Sequence, residues 1–168
     1  TETGVTTVMV THDLTEAMSL GDRTALLDKG GLVAEGTSET LFRSPPTRRA
    51  AQLVGVTTFI DGVVAKGLLM TDAGPLVVEG LAGSDGLRVA VAIRPEHVRL
   101  APTGPNTVSG RVVASTYRGE YWDVVVATAV GRLRARSGDA IQAGVAVEVE
   151  LPPRHLFAVA ADAPNIQG

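Results

Sequence analysis

His12 stands where the apolar run Val8-Met9-Val10 hands over to Asp13-Leu14, the point at which a strand would end and a helix begin. An imidazole delivered there is placed to touch a phosphate, donating a hydrogen bond to an anionic oxygen. Asp13 itself reads as a helix cap, because a carboxylate at that position accepts from free backbone N–H groups and suits the helix dipole. A second set lies in Arg132-Leu133-Arg134-Ala135-Arg136. In a strand, Arg132, Arg134 and Arg136 share one face and can receive a small anion or an acidic partner. A solvated strand face screened by nearby carboxylates explains the same pattern and is the simpler expectation. Arg94, Glu96 and His97 surround Pro95. One histidine beside a proline-fixed turn lacks further ligands at a recognisable spacing, so this segment reads as a structural corner rather than a metal or acid–base site. Tyr117, Tyr121 and Trp122 could anchor an interface, but core packing is expected of them.

The elements that must hold these residues fall into two groups. Val5 to Val10 is β-branched without alternation, which predicts a strand buried on both faces of a mostly parallel sheet. Asp13 and Glu16 make a capping-box-like start to a helix whose Leu14, Ala17 and Met18 share a face and which Gly21 closes. Thr24–Asp28 and Leu32–Glu35 flank Lys29-Gly30-Gly31 and predict a hairpin. Thr37 caps a short helix, Ser44-Pro45-Pro46 interrupts it, and Thr47 to Leu53 forms another. From Phe59 the pattern changes to short valine-rich runs, at 63–65, 76–78, 87–93, 110–113, 122–127, 133–136 and 145–151, divided by glycine and proline. Such spacing predicts a small barrel or sandwich with hardly any helix. The tail from Ala160 to Gly168 has little to bury and is expected to fray.

Thr11-His12-Asp13, Glu16-Ala17, Asp22-Arg23, Leu26-Leu27-Asp28-Lys29-Gly30-Gly31 and Glu35-Gly36-Thr37 together closely resemble the last third of the nucleotide-binding domain of ABC-transporter ATPases. The run Ala92-Ile93-Arg94-Pro95-Glu96-His97-Val98-Arg99-Leu100, with Ser115 to Gly119 and the strands after it, resembles the TOBE regulatory region. That region follows the ATPase domain in the maltose, spermidine and ferric-ion importers. The resemblance implies a mainly β chain, with an α/β remnant of an ABC ATPase domain over 1–56 followed by an oligonucleotide-binding-fold-like barrel over 57–168. It also implies that His12 is the switch residue sensing the γ-phosphate of ATP. In such a parent, ATP and magnesium are cofactors, while permease subunits, a second ATPase subunit and, indirectly, an external solute-binding protein are partners. The parent would sit peripherally on the cytoplasmic face of the membrane.

The chain has no G-x-x-x-x-G-K-S/T loop, signature loop or strand ending in Asp-Glu. Without backbone N–H groups to wrap phosphates and a carboxylate to hold magnesium, no ATP hydrolysis or cofactor binding is expected of this stretch alone. Composition bounds the rest. The absence of cysteine excludes disulfides and thiolate metal sites. A net charge of -3 provides no broad cationic field, which argues against nucleic acid as a partner. No apolar run approaches the roughly 20 residues of a membrane-spanning helix. The alternative to an importer subunit is an autonomous module that senses a small oxyanion or dimerises.

Overall fold

The computed structural model describes residues 5–100 and 104–160 of the chain. Helix α1 (Leu14–Leu20) begins at Asp13, whose side chain accepts from the backbone N–H groups of Thr15 and Glu16, and ends against Gly21. The hairpin follows as β1 (Thr24–Asp28) and β2 (Gly31–Gly36), antiparallel and joined by two residues. Lys29 (φ 48°) and Gly30 (φ 80°) both adopt left-handed backbone, the requirement of a type I′ turn. Thr37 caps α2 (Ser38–Arg43) through its hydroxyl, as the sequence predicts, and Thr47 caps α3 (Arg48–Leu53) in the same way rather than opening the helix itself.

The second half forms β3 (Thr58–Ala65), β4 (Leu68–Thr71), β5 (Gly74–Val77), β6 (Arg88–Ile93), β7 (Thr107–Tyr117), β8 (Trp122–Thr128), β9 (Gly131–Ser137), β10 (Ala146–Glu150) and β11 (Phe157–Val159). They assemble into two antiparallel sheets, ordered β11-β6-β3-β4-β5 and β10-β7-β8-β9. Inward residues of both sheets, among them Ile60, Val64, Leu69, Ile93, Val112, Val124, Val126 and Leu133, make one dry core. The chain is mainly β, as expected. Buried Asn106 pins the sheets together: its amide accepts from Val77 N (2.8 Å) and donates to Val77 O (2.7 Å) and Leu151 O (2.9 Å).

A second core lies on the opposite face of β6, where Ala90, Ala92 and Val159 pack with Leu41, Ala50, Ala51, Val54 and Val56. Helices α2 and α3 are therefore seated on the five-stranded sheet. Three expectations need correction. Val5 to Val10 forms no strand: it is irregular and exposed, with Val8 at 88% and Val10 at 91%, because none of the described residues pairs its backbone. The short strands β4 and β11, outside the expected runs, form because β3 and β5 flank β4 and β6 pairs with β11. Ala160 is not free, since its carbonyl accepts from Arg48 N (3.2 Å); residues 161–168 lie outside the described residues.

Candidate functional site

The backbone around His12 is fixed by its neighbours. Thr11 Oγ1 donates to Glu16 Oε2 (2.7 Å) and accepts from Asp13 N (3.0 Å), so Glu16 reaches the cap through Thr11 rather than by the reciprocal capping-box bond. Its own N–H and that of Thr15 hold the Asp13 carboxyl below the usual carboxylate range, with the nearby His12 a smaller contribution. His12 is exposed at the entrance to α1. The helix buries no residue of its own, and Ser38 Oγ tethers it by reaching Ala17 O and Gly21 O (both 3.2 Å).

Strand β9 places Leu133 and Ala135 in the core and Arg132, Arg134 and Arg136 on the outer face, the alternation that the sequence requires. Two of these guanidinium groups are engaged. Arg134 grips the buried Asp123 with two nitrogens, Nε at 3.2 Å from Oδ1 and Nη2 on Oδ2. Arg118 approaches the same carboxylate at 3.6 Å. Arg136 lies over the Tyr121 ring at 4.4 Å and 3.5 Å from Glu96. Tyr121 thus sits beneath a cation, Trp122 packs against the core, and Tyr117 is exposed at 59%, so the aromatic group does not enter the core as a unit. Tyr117 ends the sheet, where its ring tilts against Trp122 with centroids 5.3 Å apart.

Arg94 forms the joint between the two halves. It is buried, and its guanidinium donates to Val54 O (2.9 Å) and Phe42 O (2.7 Å) and lies 3.6 Å from the centroid of the Phe42 ring. Burial pushes its pKa down, with Glu96 opposing, yet a guanidinium stays protonated throughout the physiological range. Pro95–His97 then turns in a single 3₁₀ turn, the corner that the sequence predicts. Sequence reasoning missed the partner of His97: the ring stacks on His155 with centroids 3.8 Å apart and planes 5° apart. The signal was a second proline-led turn, Pro153-Arg154-His155, which also forms a 3₁₀ turn. Stacked rings do not converge on a shared metal, and among the described residues no three His, Asp or Glu side chains could hold an ion.

A cleft of about 590 Å³ opens between α1, the 54–57 connection, the Pro95 corner and the outer face of β8 and β9. Its lining joins apolar Leu14, Met18 and Phe42 to the guanidinium groups of Arg94, Arg118, Arg134 and Arg136 and the carboxylates of Glu96 and Asp123. Neither His12 nor Arg132 lines it, so the structure does not bring the histidine and the three-arginine face to one place.

Residues 91–159 match the family model of the TOBE domain. The spermidine/putrescine import ATP-binding protein PotA of Rubrobacter xylanophilus is 32% identical over 170 residues, covering 92% of this chain and 45% of that protein. The putrescine transport ATP-binding protein PotG of Escherichia coli is 34% identical over 152 residues, covering 83% of this chain and 38% of its own length. The chain therefore spans less than half the length of these curated relatives. Among solved structures, the cytoplasmic molybdate-binding protein ModG shares the fold with a TM-score of 0.51 at 12% identity, covering 62% of this chain and 96% of that one. Residues 91–159 thus match a TOBE domain, and over most of its length the chain is similar to ABC-importer ATP-binding subunits, which supports its reading as a C-terminal, TOBE-containing part of such a subunit.

Proposed function

We propose that this chain is the end of an ATP-hydrolysing subunit that powers polyamine uptake, with residues 1–56 completing the nucleotide-binding domain and 57–168 forming the regulatory domain. The observation that carries this reading is the similarity over most of the chain to proteins named as polyamine import ATP-binding subunits. In the whole subunit, residues outside this chain hold ATP and magnesium. His12 donates to the γ-phosphate and orients the attacking water, stabilising charge as it develops. Its support is the motif around it and its exposed position on a backbone fixed by Thr11. The subunit pairs with a second copy and docks on permease subunits at the cytoplasmic face of the membrane, receiving solute indirectly from an external binding protein. None of the described helices is long and apolar enough to cross a membrane.

The test is magnesium-dependent ATP turnover of the whole subunit, with the upstream region restored, for the native protein and His12→Ala at equal folding. Loss of one charge-stabilising donor is expected to lower turnover by about a hundredfold or more. Undiminished turnover would remove the switch assignment. The rival reading, an autonomous oxyanion sensor built on Arg132, Arg134 and Arg136, finds support only in the positive character of the cleft, and Arg134 and Arg136 already face carboxylates there.

A further inference from the structure

We propose that Thr11 is a positioning residue for His12, its hydroxyl holding the backbone that carries the imidazole to the γ-phosphate; this rests on the switch role proposed for His12. Thr11 Oγ1 accepts from Asp13 N (3.0 Å). The ring so closed contains the N, Cα and C atoms of His12, so the backbone rotations that aim the imidazole are restrained by a single hydrogen bond. A hydroxyl has one proton, and this one is committed to Glu16 Oε2 (2.7 Å). That donation turns the lone pairs of the oxygen toward Asp13 N, and its carboxylate acceptor makes it the stronger of the two bonds.

Glu16 is itself fixed. Its N–H and that of Thr15 donate to Asp13 Oδ1 (3.3 and 2.7 Å), and Ala17 N donates to Asp13 O (3.1 Å), so the first turn of α1 and the residue after the imidazole form one piece. The far end of α1 is held by Ser38, whose buried hydroxyl lies 3.2 Å from both Ala17 O and Gly21 O and 2.7 Å from Thr24 Oγ1. Thr11 therefore closes a frame that runs from a tethered helix back across His12. His12 is exposed, so its direction is set by this backbone rather than by packing around the ring. Capping explains Asp13 but not Thr11. In a reciprocal capping box Glu16 would reach Asp13 N directly, whereas here the Thr11 hydroxyl stands between them. Such restraint matters for a donor that must meet a developing charge, since a misplacement of about 1 Å can cost on the order of a hundredfold in rate.

The experiment is magnesium-dependent ATP turnover of the whole subunit, with kcat and KM read separately. Thr11→Val keeps the shape of the side chain and removes both bonds. It is expected to lower kcat about tenfold, the worth of one charge-assisted hydrogen bond, and to leave KM for ATP unchanged, since residues outside this chain hold the nucleotide. Thr11→Ser keeps both bonds and restores kcat. Glu16→Ala frees the hydroxyl proton but leaves Asp13 N its acceptor, and causes part of the loss. Because Thr11 acts through His12, Thr11→Val in a His12→Ala background brings no further loss. Native kcat in Thr11→Val beside a collapse in His12→Ala overturns the positioning role and leaves the switch standing; undiminished turnover in His12→Ala removes both. An equal loss with and without the imidazole also overturns the proposal, because Thr11 would then serve only the fold. Thermal melts of each variant check folding, and Glu16→Ala carries the test if Thr11→Val melts early.

Discussion

His155 is a buried-edge imidazole faced by three other cations or potential cations: the His97 ring stacked on it, Arg154 on its own turn, and Arg99 across from it. Burial first, then these charges, push its pKa below the ordinary value near 6.5. The unfolded chain consequently takes up a proton before the folded one as pH falls. Stability is complete above about pH 6.5 and declines below it until the folded-state value is passed. Thermal midpoints should be level at neutral pH and fall on acidification through that window, and His155→Gln should flatten the fall; an equal slope in both proteins would show that other groups cause it. His97 and His155 lie far apart in sequence, and only the assembled sheets bring them together. Arg94 illustrates the same limit. Its Pro95-led corner could be read from the sequence, whereas its hold on Val54 O and Phe42 O could not, because backbone carbonyls carry no residue-type signal. The helix cap beside His12 was legible since capping chemistry is local: Asp13 meets N–H groups two and three residues away.

Elements became legible where they carry their own punctuation. Three helices announced themselves by Asp13, Thr37 and Thr47, and the hairpin by Lys29-Gly30. Strand β4 carries no alternation to find, being Leu68-Leu69-Met70-Thr71, and β11 is only three residues long. Both exist because neighbours pair with them: β3 and β5 flank β4, and β6 holds β11. The opposite failure is Val5 to Val10, whose composition suits a strand while nothing described offers it a ladder. Glycine inside β3 reports the closeness of that pairing. A Cβ at Gly62 would stand 2.5 Å from Met70 O and 2.8 Å from Leu69 Cδ1. The first of these is backbone and cannot swing aside, so Gly62→Ala must push β4 away from β3. A loss of about 2 kcal/mol is expected, in the range of overpacking penalties. Urea unfolding with an unchanged slope would measure it, and an unshifted midpoint would mean that β4 is loosely held.

At the scale of the molecule, the decisive strand is β6, buried from Ala90 to Ile93 on both faces at once. Val91 and Ile93 point into the core between the sheets, while Ala90 and Ala92 point at the second core under α2 and α3. That double burial explains why residues 89–93 are apolar without a break rather than alternating with polar ones. It also bears on whether the barrel is autonomous. Removing residues 1–56 would uncover Ala90, Ala92 and Val159 together with Phe59 and Phe157, and would take away both carbonyl partners of buried Arg94 and the Arg48–Asp61 ion pair. Uncovering several apolar side chains costs on the order of 3 kcal/mol or more, a large part of a small domain's margin. A chain beginning at Thr57 should therefore unfold at clearly lower urea than the 168-residue chain and associate through the exposed sheet face, visible as a higher mass in light scattering. If that shorter chain proved monomeric and equally stable, the barrel would stand alone, the second core would be dispensable packing, and Arg94 would hold no joint between the halves.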